Sequence, residues 1–310
     1  MPSAGGVLRP IVSRGAVLSL HTSPRVQPGG GDAGGMNVSV RELVSALAQV
    51  GTEATVYVRR WSPEVPEVVD VEPGFRVVHV PAGPVHLPKE ALPDVVDEFT
   101  ARVGAHLVAE PVDVIHANYW LSGVAGHRLK HELELPLVTT FHTLARVKAE
   151  TGDAEPDRRI EAEAEVIGCA DVITANSIHE LQELVGHYGA APERIEIVPP
   201  GVDHAFFSPG PRDGARRALG LAHGPLLLFV GRIQPLKGVD VAVETLHRLG
   251  RPDARLVVVG GASGAVGDHE VERVRALVDR LGLTDRVLFV PPQPHHVLST
   301  YYRAADVCLV

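Results

Sequence analysis

Short apolar, β-branched runs alternate with helix-period stripes along almost the whole chain, and this alternation constrains the fold more than any other feature. Candidate strands lie at Ala16–Leu20, Ala54–Val58, Arg76–Val80, Asp113–His116, Leu137–Phe141, Asp171–Thr174 and Arg194–Val198. Between them, Val40, Leu43, Val44, Leu47 and Val50 recur at helical spacing, as do Val95, Val96, Phe99, Val103 and Leu107. Such alternation predicts doubly wound parallel sheets with right-handed crossovers. The segment Trp61–Gly74, rich in proline and glutamate, is expected to be a loop. Pro199 to Asp203 and Ser208 to Pro211 interrupt the pattern, and a second series follows at Leu226–Val230, Arg255–Val259, Arg286–Val290 and Val307–Val310. The expected class is therefore α/β, with two Rossmann-like domains facing a cleft. Residues 1–15 form a flexible leader, 16–205 an N-terminal domain and 206–310 a C-terminal one. Because the chain stops within its last strand, the second domain is expected to be truncated, with four strands of an unfinished sheet.

A length of 310 residues suits two such domains, and 45% hydrophobic content supports a sizeable core. The formal charge of −9 argues against nucleic acid as a partner, since phosphate backbones select basic surfaces. Cys169 and Cys308 are the only cysteines and stand in no metal or redox spacing, so a reduced, cytoplasmic setting is expected. No apolar run is long enough to span a bilayer, and the leader lacks the apolar core of a signal peptide. None of the 16 histidines falls in an HExxH or HxH pattern, which leaves most as surface or core residues.

Two loops stand out as anion sites. Gly231 to Gly238 follows an apolar strand and precedes Val239, Val241, Ala242 and Leu246, whose spacing suits one helix face. Arg232 and Lys237 thus sit in a strand-to-helix loop, where open α/β sheets bind ligands. Two cations beside a helix amino terminus suit a diphosphate, the alternative being a solvated loop. The second loop, Gly29 to Gly35, lies before the first helix. Its glycines let backbone N–H groups approach a ligand, or simply make a turn. Gly29, Gly31 and Gly34 also satisfy GxGxxG, with Glu53 about 20 residues on, as in a dinucleotide fingerprint. That match is formal only: His21 to Pro28 separates the glycines from the strand, and Glu53 opens the second strand instead of closing it.

His21 to Pro24, Gln27 to Asn37 (QPGGGDAGGMN), Tyr119 to Gly123, Phe141 to Leu144, Pro200 to Asp203 and Val230 to Gly238 (VGRIQPLKG) fall into one pattern. Together they resemble the retaining glycosyltransferases of the GT-B fold, over Ala16 to Val310. The GDAGGMN run narrows the likeness to the inositol-phosphate branch, which opens mycothiol synthesis. The resemblance implies transfer of N-acetylglucosamine from UDP-N-acetylglucosamine to an inositol phosphate, with retention. It places Arg232 and Lys237 on the UDP diphosphate, Gln27, Pro28 and Gly35 beside the donor, and His142 near the reacting carbon. His21, Asp32, Asn37, Lys89, Tyr119, Thr143 and Arg158 would hold the acceptor. It implies a UDP-sugar co-substrate, no required cofactor, no catalytic metal and a homodimer. A structural Mg2+ would sit on backbone carbonyls at Tyr302, Arg303 and Ala305.

Lys89, Tyr119, Thr143 and Arg158 come from separate loops or helix starts, and each can donate to a phosphate. Each also has a plainer role: Lys89 as a surface charge, Arg158 in an intrahelical ion pair, Tyr119 with Trp120 as core aromatics, His142 as a satisfied buried histidine. The chain departs from the resemblance in three places. A pair of glutamates in an ExFGxxxxE-like motif is absent, which predicts weak or no activity for the chain as it stands. Gln293 replaces an arginine expected near the nucleotide base. His116 to Tyr119 and Arg146 to Arg158 differ around the acceptor pocket, so a different acceptor, or an inactive nucleotide-sugar-binding remnant, stays open.

Overall fold

The computed structural model describes residues 12–29, 33–150, 152, 155–263 and 267–310. Asp32 lies outside the described residues. The chain forms two compact units, Met1–Pro24 with Ser39–Gly201 and Arg25–Val38 with Val202–Val310.

The first unit is built on β1 (Arg14–Leu18), β2 (Glu53–Arg59), β3 (Val68–Glu72), β4 (Phe75–Val80), β5 (Val114–Asn118), β6 (Leu137–Thr140), β7 (Val172–Ala175) and β8 (Ile195–Ile197). Their order is β3-β4-β2-β1-β5-β6-β7-β8, parallel throughout except for β3. The helices are α1 (Gly35–Gln49), α2 (Val96–Ala109), α3 (Trp120–Leu133), α4 (Ala145–Glu150), α5 (Asp157–Cys169) and α6 (Ile178–Tyr188). Ala16, Leu18, Ile115, Ala117 and Leu137 from the strands meet Phe99, Val103, Leu107, Leu121, Leu129 and Val166 from the helices in one core. Alternate residues of parallel strands reach opposite faces, so near-continuous apolar runs mean cover on both sides.

Three sequence expectations change here. The expected loop Trp61–Gly74 contains β3, an antiparallel edge strand hairpinned to β4 with a register shift between Asp70 and Glu72. Its acidic residues mark an edge left open to solvent instead of the loop that composition suggests. β1 takes in Arg14 and Gly15 because the Asp113 carboxylate accepts from the N–H groups of Ser13 and Arg14 at 2.7 and 2.8 Å. Val50 lies beyond α1 and is 65% exposed, so it leaves the buried stripe.

The second unit carries α7 (Arg212–Ala218), α8 (Val239–Arg248), α9 (Gly267–Arg280) and α10 (His295–Ala304) around β9 (Leu226–Val230), β10 (Arg255–Val259), β11 (Val287–Val290) and β12 (Val307–Leu309). The sheet is parallel, ordered β11-β10-β9-β12. Leu227 and Phe229 of β9 pack with Val239, Val243 and Leu246 of α8. Leu226 and Leu228 pack the other way, with Ala215 and Ala304. Val241 is exposed, one residue off the apolar stripe of α8 that Val239, Ala242, Val243 and Leu246 complete. Arg25–Val38 goes with this unit by its contacts, although sequence order places it in the first.

Candidate active site

In a doubly wound sheet, ligands bind where strand order reverses, outside the carboxyl ends. In the first unit β1 is flanked by β2 and β5, so that point lies past β1 and β5. His21 follows the first and Tyr119 the second. Their rings stand 4.5 Å apart. Tyr119 caps α3 with φ 74°, and His142, just past β6, has φ 62°. Non-glycine residues held at such angles cost about 1–3 kcal/mol each and gather where side chains must be aimed.

His142 Nε2 lies 2.9 Å from Asn118 Oδ1, an atom that only accepts, so Nε2 carries the proton. The Asn118 amide nitrogen is buried without a hydrogen-bond partner. Burial, with His116 nearby, pushes His142 down to about 4. Burial alone pushes His116 down to about 4. His116 Nε2 meets Thr140 Oγ1 at 2.8 Å, and Thr140 bonds Thr174 in turn. Both imidazoles are therefore neutral near pH 7.

Thr143 is held by a residue that sequence patterning missed. Arg159, buried on α5, donates to the Thr143 carbonyl at 3.0 Å and to its hydroxyl at 3.1 Å. Its guanidinium carbon stands 5.0 Å from the Tyr119 ring centre. Glu163, also buried, accepts from Arg159 at 2.8 Å, from the Ala145 N–H at 2.9 Å and from the Tyr188 hydroxyl. Glu155 takes a second edge of the guanidinium at 2.8 Å. The i, i+4 spacing Glu155, Arg159, Glu163 was the available signal. Arg158, one residue earlier, makes no intrahelical pair. It donates to the Glu90 carbonyl at 3.1 Å and approaches Asp94 at 3.7 Å. Glu90 follows Lys89 in the 3-10 turn Lys89–Val95, so the segments carrying Lys89 and Arg158 meet.

In the second unit, strand order reverses at β9, between β10 and β12. The loop after β9 holds Arg232, and Lys237 ends the 3-10 turn Pro235–Lys237 before α8. Ile233 is buried and its N–H donates to the Gly261 carbonyl at 2.8 Å, fastening this loop to the one after β10. A Cβ on Gly260 would stand 1.8 Å from the Gly231 oxygen, so only glycine permits that approach. The amino-terminal loop joins the same edge: the Gly261 N–H donates to the Gly29 carbonyl at 2.9 Å, and Gln27 Nε2 to the Gln293 carbonyl at 3.0 Å. Pro28 lies between those two contacts, and Gln293 Nε2 bonds the Pro291 carbonyl at 2.9 Å. Gly29 has φ 105° and packs on Pro292.

Arg232 lies along Gly34, where a Cβ would be 3.3 Å from its Nε, and donates to Ser263 Oγ at 3.2 Å. Gly35 faces open space. Asn37 Oδ1 accepts from the Gly34 N–H at 2.9 Å, capping the start of α1. Lys237 is exposed, and neither cation pairs with a carboxylate among the described residues. Tyr302 and Arg303 lie in the last turn of α10, which ends at Ala304 with Ala305 as its cap, and the Ala304 carbonyl accepts from Arg216 at 2.9 Å.

Thus Gln27, Pro28, Arg232, Lys237 and Gln293 share one sheet edge of the second unit. His21, Tyr119, Thr143 and His142 share the carboxyl edge of the first. Among the described residues no helix is long and apolar enough to cross a membrane.

Residues 33–206 match the model of Glycosyltransferase Family 4, and residues 212–310 that of Glycosyl transferases group 1. The chain is 47% identical to a D-inositol 3-phosphate glycosyltransferase from Xylanimonas cellulosilytica, over 96% of this chain and 74% of that protein. It is 45% identical to the enzyme of the same name from Acidothermus cellulolyticus, over 99% of this chain and 71% of that protein. Sucrose-phosphate synthase from Thermosynechococcus elongatus superposes with a TM-score of 0.89 at 30% identity, covering 96% of this chain and 74% of that one. Anabaena HepE, in complex with UDP and glucose, shares the fold, with a TM-score of 0.72 at 17% identity over 96% of this chain and 73% of that one.

Proposed function

We propose a specific reaction on the premise that this chain belongs to the D-inositol 3-phosphate glycosyltransferase family: it moves a sugar, N-acetylglucosamine by preference, from a UDP-sugar to an inositol-phosphate acceptor with retention. The observation that carries the donor half is the pair Arg232 and Lys237, two cations at the reversal point of a parallel sheet with no carboxylate partner among the described residues. They hold the diphosphate and offset the charge that builds on it as it leaves. Gln27, Pro28, Gly35 and Gln293 lie along the donor. The proposed step is written without a metal, and the carbonyls of Tyr302, Arg303 and Ala305 are the groups that would hold a hard cation in a structural role.

The acceptor half rests on the relatives' name and on the first unit's sheet edge. His21, Tyr119 and Thr143, aimed by ring contacts and by Arg159, bind the inositol phosphate together with Lys89, Arg158, Asn37 and Asp32. Neutral His142 offers hydrogen bonds near the reacting carbon without adding charge that would oppose an oxocarbenium-like state. With Asp32 assigned to the acceptor and not to the sugar carbon, the leaving diphosphate oxygen takes the acceptor proton on the same face of the sugar. Catalysis is then positioning plus electrostatic stabilisation.

The test is UDP release from UDP-N-acetylglucosamine, measured with and without D-inositol 3-phosphate. Acceptor-dependent release is expected. Release that ignores the acceptor, or follows another polyol, removes the inositol-phosphate claim.

A further inference from the structure

The face of the first unit far from the candidate active site holds a second cluster of chemically capable side chains. His127 and His131 stand one turn apart on α3, so both project from one helix face. Glu165 and Cys169 have the same spacing on α5, which packs alongside. His131 Nε2 lies 3.1 Å from Cys169 Sγ, and His127 Nδ1 lies 3.6 Å from Glu165 Oε1. The two imidazole rings are 5.0 Å apart. One donor atom from each of His127, His131 and Cys169 falls within 4.8 Å of the other two. His127, His131 and Glu165 line an open cleft of about 330 Å3, together with Val124 and Val166.

These residues sit toward the amino ends of the strands. Cys169 closes α5 just before β7, and neighbouring Asp171 accepts from Leu137 N–H at the start of β6, at 2.8 Å. Tyr119 and His142 occupy the opposite, carboxyl edge. Sequence spacing hid the cluster: HxxxH on one helix is common, and the cysteine lies 38 residues further on.

We propose that His127, His131 and Cys169 form a binding site for a thiophilic divalent ion of the Zn2+ type, with Glu165 orienting His127 and water completing a tetrahedron. Two imidazoles and one thiolate are donors Zn2+ takes, with bonds of about 2.0–2.3 Å, so neighbouring ligand atoms stand roughly 3.3–3.7 Å apart. The observed donor spread brackets that range, and rotamer changes close the difference. Mg2+ and Ca2+ prefer all-oxygen sets and are poor fits. A carboxylate behind a ligating histidine fixes its tautomer. An ion here ties α3, which begins beside Tyr119, to α5, which carries Arg158 and Arg159.

The experiment uses untagged chain stripped with chelator, titrated with Co2+ by absorption and Zn2+ by calorimetry. The expected result is one equivalent bound, tetrahedral cobalt bands, a thiolate-to-cobalt charge-transfer band and a Zn2+-dependent rise in Tm. Cys169→Ser removes the charge-transfer band and weakens Zn2+ at least 10-fold, and the exposed His131→Ala weakens it similarly. His179→Ala, on the surface of α6, changes nothing. Zn2+ affinity untouched by Cys169→Ser, or absence of the charge-transfer band in the parent chain, overturns the proposal. Tm of each variant without metal confirms that folding is intact.

Discussion

The carboxyl edges of the two sheets are built by opposite means. In the first unit the edge is buried, neutral and strained. His142 and His116 are uncharged, Tyr119 and His142 hold positive φ, and an Arg159–Glu163 pair sealed from water sets their surroundings. In the second unit the edge is open, cationic and lined with backbone. Arg232 and Lys237 have no carboxylate partner among the described residues, and glycine-rich loops from three segments of the chain are laced together by main-chain hydrogen bonds. Under the proposed function, the difference answers the unlike demands of a polyol and a diphosphate. Fixed side-chain geometry suits the former. Charge with room to approach suits the latter.

The largest effect that separates the edges is on stability. Glu163→Ala should cost about 3–5 kcal/mol, because it strands the buried Arg159 charge and two further donors. Urea unfolding of the first unit reads it, and a loss under 1 kcal/mol would mean that the pair does not organise that edge. Gly260→Ala should act only on the second unit. The steric demand against the Gly231 oxygen should cost about 1–3 kcal/mol and weaken UDP binding. Unchanged UDP affinity would show that the loop after β9 is not set by its neighbour.

A smaller effect follows from the neutral histidines. Their folded values near 4 lie below the ordinary 6.5, so each stabilises the fold fully above pH 6.5. That contribution is lost as pH falls through the folded values. Stability should therefore drop between pH about 6.5 and about 4, and His116→Asn should flatten the slope by about one proton. Denaturant midpoints across that range check it. Smallest of all, Lys89→Ala should raise KM for the acceptor several-fold while leaving kcat for donor hydrolysis unchanged. An effect on donor KM instead would place Lys89 on the wrong substrate.

Much of this contrast was legible in the residues. Apolar runs alternating with helical stripes fix parallel sheets, and Arg232 and Lys237 announce themselves because a strand, a glycine-bracketed loop and a helix occur in unbroken succession. What escaped depends on depth and distance. Arg158 and Arg159 are neighbours of the same type, and only the phase of α5 against its surroundings decides that Arg159 is buried and Arg158 is not. β3 hid behind proline and glutamate because an exposed edge strand needs little apolar surface. Arg25–Val38 belongs to the second unit through hydrogen bonds to Gly261 and Gln293, which are more than 200 residues away. The positive φ angles of Tyr119 and His142 have no signature in residue type.

The most direct test of the central claim is the calorimetric affinity for UDP, with uridine as the uncharged comparator, in the parent chain and in Arg232→Ala with Lys237→Ala. Charge-assisted hydrogen bonds contribute about 1.5–3 kcal/mol each, so the double variant should lose UDP affinity on the order of 100-fold or more while uridine binding barely moves. Equal UDP affinity in the two proteins would contradict the assignment of these cations to a diphosphate.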